Sequence, residues 1–192
     1  MGRKDLSHIR KEEILDAFER CILEQGLEKA TLQRTAEVAK VNLGTIHHYI
    51  GKKDAMLRLL TERLMQRARA GVAELQNALP PEQRWPALLQ AFFPADTDPT
   101  NRILTELVKS SEKSPDLQAF LLDINTLYSQ LISEELHTQH PELSPEQANQ
   151  IAFAVLALSY GGDVLVGLGL PSTRRDRLPE MVQAWISHPT RR

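Results

Sequence analysis

Thr45, His47, His48 and Tyr49 place a hydroxyl, two imidazoles and a phenol within the run Leu43-Gly44-Thr45-Ile46-His47-His48-Tyr49-Ile50. Two adjacent histidines invite a metal-site reading, but neighbours on a helix point about 100° apart and cannot chelate together. Short polar and flat side chains on one short helix instead suit base edges and phosphates in a DNA groove. Glu134, His137 and His140 fall at i, i+3 and i+6. A two-metal helix bundle needs a second such pair and further inward glutamates, which this sequence does not offer. Histidines near a helix C-terminus commonly serve the helix dipole instead.

Cys21 is the sole cysteine and has no activating partner near it in sequence, so packing is its expected role. One cysteine also excludes an intramolecular disulfide and a cysteine-based zinc site, and it suits a reducing compartment. No Gly-rich phosphate loop, G-x-S-x-G elbow or H-E-x-x-H run occurs. No catalytic residue, metal or cofactor is therefore expected, and nothing in the sequence supports an all-helical enzyme that merely contains a helix-turn-helix.

Elements must aim the side chains at 45–49. Thr31-Leu32-Gln33-Arg34-Thr35-Ala36-Glu37-Val38-Ala39 reads as an N-cap and a short helix, about Leu32 to Ala39. Lys40-Val41-Asn42 is a turn, and Asn42 caps a second short helix over roughly residues 43–50. This is a helix-turn-helix pattern. Small Ala36 and Ala39 allow close crossing, while Leu32, Val38, Val41 and Ile46 supply the apolar faces that hold the angle.

The rest of the chain is helical too, which gives an all-α fold of about nine helices. Ile14, Phe18, Cys21 and Ile22 form one stripe of a first helix that Gly26 ends. Asp54 suits the first turn of a long helix reaching about Asn77. Pro80-Pro81 breaks the chain. Trp85, Leu88, Leu89, Phe92 and Phe93 mark the next helix, which Pro94-Ala95-Asp96-Thr97-Asp98-Pro99 terminates. A helix through Ile103, Leu104, Leu107 and Val108 follows. Ser114-Pro115-Asp116 opens a helix over about 116–139. Ser144-Pro145-Glu146-Gln147 opens another with a capping box and runs to about Leu170, and a last helix spans roughly Leu178 to Ser187.

With 192 residues, 42% apolar and 25% charged, the chain has the balance of an ordinary globular protein able to bury a core. Residues 1–70 carry 14 Lys+Arg against 10 Asp+Glu, and residues 71–192 carry 9 against 15. A basic first third on an acidic remainder points to the N-terminal part as the one that meets a polyanion. Met1 to Arg10 lacks an apolar core, so no secretory signal is read and a cytoplasmic location is expected. Ile151 to Leu170 is long enough to span a bilayer. Its aspartate, its four glycines and the lack of a basic cluster before it favour a buried helix or subunit interface over a membrane span.

Residues about 9–57 resemble the DNA-binding domain of the TetR family of bacterial transcriptional repressors. The resemblance rests on Gln25-Gly26-Leu27, Thr31, Ala36-Glu37-Val38-Ala39 and Val41-Asn42-Leu43-Gly44-Thr45-Ile46. It continues through His48-Tyr49-Ile50, Lys52-Lys53-Asp54 and Leu57. It covers about a quarter of the chain; the remainder resembles the family only in length and helical character.

This resemblance implies a DNA-binding domain at residues 1–52 and a helical ligand-binding and dimerisation domain at 53–192. Thr31 would cap its helix and touch a phosphate, and Gln33 and Arg34 would contact base or backbone. Gly44 and Thr45 would sit at the mouth of the groove, with His47, His48 and Tyr49 as readers. Lys53 would hold a phosphate. Four positions depart from the family pattern: Lys40 for glycine, His47 for tyrosine, Ile50 for phenylalanine and Thr35 for an apolar residue. If Lys40 is left-handed, it costs about 1 kcal/mol or more.

The expected function is a homodimeric repressor on a palindromic operator, released by a small molecule. The alternative is a DNA-binding regulator controlled by a protein partner without an inducer. Trp85, Phe92, Leu104, Leu107, Asn125, Tyr128, Ser159, Tyr160 and Asp163 are the candidate pocket residues. Phe153, Leu156, Leu165 and Leu168, with Trp185 from the last helix, are the candidate dimer face.

Overall fold

Gly26 sits at φ +82° and its N–H closes onto the Ile22 carbonyl at 2.8 Å, which ends the first helix where a glycine can turn left-handed. That helix, α1 (Arg3–Gln25), opens an all-α chain in a computed structural model that describes residues 3–94, 98–171 and 177–187. It is followed by α2 (Leu32–Ala39), α3 (Leu43–Tyr49), α4 (Lys53–Ala78) and α5 (Pro81–Phe92). Next come α6 (Pro99–Ser110), a 3₁₀ turn (Ser111–Lys113), α7 (Pro115–Gln139), α8 (Pro145–Gly167) and α9 (Leu178–Ser187). No strand occurs among the described residues. Residues 95–97 of the expected break before α6 lie outside the described residues.

The helix starts follow local chemistry. Thr31 Oγ1 accepts from the Arg34 N–H at 3.1 Å, and Asn42 Oδ1 accepts from the Thr45 N–H at 2.7 Å. Each cap satisfies a backbone donor that the first helical turn leaves without a partner, a contribution of about 1 kcal/mol. Ser144 and Gln147 form the reciprocal capping box, at 3.2 and 2.9 Å. α8 stops at Gly167, three residues before the expected end, and its Leu168 N–H closes on Val164. Pro81 begins α5 and Pro86 lies within it, so the expected break at Pro80-Pro81 falls at the linker between α4 and α5.

Two compact units are present, one formed by Met1–Gln66 with Arg102–Phe120 and the other by Arg67–Asn101 with Leu121–Arg192. In the first, Ile14, Phe18, Cys21, Ile22, Ile46, Met56, Leu60 and Leu107 are fully buried. Arg63 on α4 reaches back to α1, pairing with Glu12 at 3.3 Å, with Glu19 at 3.2 Å and with Asp16. In the second, Trp85, Leu88, Leu89 and Phe93 of α5 pack with Leu131, Ile132 and Leu136 of α7, Ala152 and Val155 of α8, and Val182 and Ile186 of α9. The Trp85 indole N–H donates to Gln183 at 2.9 Å, so this pocket candidate is a satisfied core residue.

Candidate nucleic-acid interface and effector site

The recognition geometry is built from the turn between α2 and α3. Lys40 is left-handed, at φ 56° and ψ 41°. Its N–H donates to the Glu37 carbonyl at 3.2 Å, and the Val41 N–H donates to the Ala36 carbonyl at 3.0 Å. Those two bonds terminate α2 and hold the turn in the shape that a glycine would adopt freely, so the turn keeps its form and lysine bears the strain. Thr35, polar where the family pattern is apolar, is fully buried, and its hydroxyl donates to the Thr31 carbonyl at 2.8 Å. Ala36 of α2 and Ile46 of α3 are both buried.

With the pair locked, His47 and His48 on α3 are exposed, and Thr45 and Tyr49 are half-buried. Asn42 Oδ1 accepts from both the N–H and the hydroxyl of Thr45, at 2.7 and 2.9 Å. A Cβ at Gly44 would come within 3.2 Å of that same oxygen, so glycine keeps the cap open. His47 Nδ1 lies 3.1 Å from the Gly51 carbonyl. A carbonyl only accepts, so this contact puts a proton on Nδ1 and leaves Nε2 free to meet a ligand. The His48 and Tyr49 rings meet edge to face, with centroids 4.8 Å apart.

Gln33 and Arg34 are also exposed on α2, beside carboxylates: Gln33 Nε2 is 3.4 Å from Glu37, and Arg34 pairs with Glu37 at 3.2 Å and Glu24 at 3.5 Å. Lys53 differs from its expected setting. Its ammonium donates to the Leu27 and Glu28 carbonyls at 3.0 and 3.3 Å. Burial lowers its pKa, against the opposing pull of Glu28 and Asp54. It thus ties the start of α4 to the loop after α1.

The candidate pocket residues divide between the two units. Leu104 and Leu107 are buried in the first. Phe92, Asn125, Tyr128, Ser159, Tyr160 and Asp163 all belong to the second. Phe92 and Tyr128 meet edge to face at 5.4 Å. Asn125 donates to the Tyr160 hydroxyl at 3.2 Å and to the Leu121 carbonyl at 2.7 Å, and Ser159 donates to the Phe92 carbonyl at 2.9 Å. Burial, with Tyr160 and Asp98 adding to it, pushes the Tyr128 hydroxyl up to about 12. Burial also raises Tyr160, where the Asn125 hydrogen bond opposes and Asp163 assists. The charged groups acting on both phenols are therefore carboxylates. Asp98, which also accepts from the Thr100 N–H at 2.6 Å, was not among the sequence candidates. Its Asp-Pro-Thr setting signals a cap, and nothing in it signals proximity to Tyr128.

On α8 and α9, Phe153, Leu165, Leu168 and Trp185 are exposed, and so are Val164 and Met181. Leu156 is partly buried against the core of its own unit. The inner side of α8 carries Ala148, Ala152, Val155, Ser159 and Asp163. By length and composition this helix is also apolar enough to cross a membrane. His140 Nδ1 lies 3.2 Å from Glu142, and no group of three potential metal ligands gathers among the described residues.

No family model matches the chain. The HTH-type transcriptional regulator BetI of Burkholderia thailandensis is 29% identical over 176 residues, covering 87% of this chain and 88% of that protein. A TetR transcription regulator from Haloarcula marismortui superimposes with a TM-score of 0.80 at 16% identity, over 94% of this chain and 97% of that one. A Saccharomonospora viridis regulator solved in complex with choline gives 0.74 at 20% identity, over 93% and 96%.

Proposed function

We propose that the chain is a DNA-binding transcriptional regulator of the TetR family and not an enzyme, a homodimeric repressor that a small organic cation releases from a palindromic operator. The observation that carries this reading is the capped, locked α3 with His47 and His48 exposed and Thr45 and Tyr49 beside them. Residues 1–52 read DNA: Thr31, Gln33, Arg34 and Gly44 flank the groove, and Lys53, whose ammonium carries a third donor beyond the two on the Leu27 and Glu28 carbonyls, contacts a phosphate from the start of α4, where the helix dipole assists. Residues 53–192 bind the effector and dimerise. The protein acts in the cytoplasm.

A second copy of the chain covers the exposed face of Phe153, Leu165, Leu168 and Trp185. Exposed apolar side chains of this kind mark an association surface, and a two-fold axis pairs it with itself. Two α3 helices then reach successive major grooves when they lie about 34–36 Å apart. An effector that displaces the far end of α4 spoils that spacing.

The effector class follows from the Phe92, Tyr128 and Tyr160 rings together with Asp98 and Asp163. Aromatic faces and carboxylates attract a cation with an apolar body and repel an anion. Choline bound to the Saccharomonospora viridis regulator belongs to the same chemical class. Fluorescence anisotropy with a duplex from upstream of the protein's own gene tests the reading. Sequence-specific binding that choline weakens, with the dimer intact, is expected. Binding without sequence preference would refute the regulator reading, and dissociation to monomers on release would refute the lever.

A further inference from the structure

Arg84 joins three elements of the second unit. Its Nε donates to the Leu79 carbonyl at 2.9 Å, and its Nη2 donates to the Gln76 carbonyl at 2.8 Å. The last four carbonyls of a helix have no partner within the helix. At the end of α4, the Leu79 N–H takes that of Leu75 and the guanidinium of α5 takes that of Gln76. The third side of the fork faces Glu135 of α7 across 3.7 Å, too long for a good hydrogen bond. The other Glu135 oxygen is buried with no hydrogen-bond partner.

Such an orphaned buried acceptor is costly, and the nearest guanidinium is committed elsewhere. The same three elements admit a second arrangement. In the one observed, Arg84 caps α4 and leaves Glu135 half satisfied. In the other, the planar fork turns onto both Glu135 oxygens, the geometry arginine and carboxylate prefer, and the end of α4 loses its cap.

α5 is placed to decide between them. Its C-terminal carbonyl at Phe92 is held by Ser159 of α8, and Phe92 itself packs on Tyr128. Its N-terminal carbonyl at Pro81 accepts from Gln139 of α7 at 2.7 Å. A body inserted among Phe92, Tyr128 and Tyr160 acts on one end of this helix, and Arg84 lies near the other.

We propose that Arg84 is the positioning residue of the regulatory response, passing from the α4 carbonyls to Glu135 when the aromatic cluster fills. The inference rests on the effector reading above and deepens it. A two-state element that one ligand biases is what coupling between sites requires.

Glu135→Gln keeps the shape and removes the charge that draws the guanidinium, so it holds the capped arrangement. Its operator affinity is expected within about twofold of the parent protein, with about tenfold more choline needed for release. Arg84→Ala serves neither arrangement, so it should weaken operator binding and abolish the choline response; Arg84→Lys should restore part of the affinity but not the response. A Glu135→Gln protein that choline releases like the parent overturns the proposal.

Hydrogen exchange without any ligand gives an independent reading. The amides of Leu75–Leu79 should exchange about tenfold faster in Arg84→Ala and more slowly than the parent in Glu135→Gln. Unchanged exchange in both variants overturns the proposal as well. If choline leaves the parent protein on its operator, the cation reading falls and the exchange experiment alone decides Arg84.

Discussion

Replacing Phe153 by glutamate is expected to split the dimer. Phe153 is 74% exposed in the single chain. A phenylalanine carries roughly 150–250 Å² of surface, so about 150 Å² of its ring awaits a cover. At about 25 cal/mol per Å² that is about 4 kcal/mol per copy, and the two-fold axis counts it twice. Incomplete cover and the ordering costs of association take away roughly half, leaving about 4 kcal/mol for the pair. Each 1.4 kcal/mol is about tenfold in Kd, so even with further losses the dimer should weaken at least 100-fold.

Sedimentation equilibrium across a concentration series reads this directly. Leu156→Ala is the contrast, because Leu156 leans on the core of its own unit. It should lower the melting temperature by the loss of part of a buried side chain while leaving the dimer constant near the parent value. A Phe153→Glu protein whose Kd stays within about threefold of the parent would refute the assignment of this face to a second copy.

Three further outcomes are expected. Lys40→Gly relieves a left-handed lysine and should stabilise the protein by about 1 kcal/mol in urea unfolding; a destabilised variant would show that the lysine side chain holds the turn. Lys53→Ala should lower the slope of log K against log salt by about 1 on every duplex, and an unchanged slope would confine Lys53 to its Leu27 and Glu28 carbonyls. Burial raises the Glu135 carboxyl above the ordinary carboxylate range, although Arg84 pulls it down. Its stabilising contribution is present below that ordinary range and is lost as pH rises through the raised value. Urea unfolding of the parent and Glu135→Gln at about pH 4 and about pH 7 should therefore show the glutamine variant gaining relative to the parent at the higher pH. A gap that is constant or reversed would mean the carboxylate is better solvated than its burial implies.

What the sequence by itself determined is the local chemistry. The caps at Thr31, Asn42 and Ser144 and the stop at Gly26 each act within four residues, so reading the chain in order was enough to locate them. The helix-turn-helix follows, because its angle depends on small and apolar residues inside one short span. Rotation about a helix axis was the first thing left to tertiary structure. Leu156 and Phe153 are three positions apart on α8, yet the first turns partly to the core and the second to solvent, since packing partners set the helix's rotation. Partners distant in sequence were the second. Lys53 finds carbonyls 26 and 25 residues away, Tyr128 feels Asp98, and Arg84 caps the end of α4 while facing a carboxylate on α7. Such contacts depend on how helices stack, and the pattern of any one helix records which face is apolar but not which neighbour will cover it.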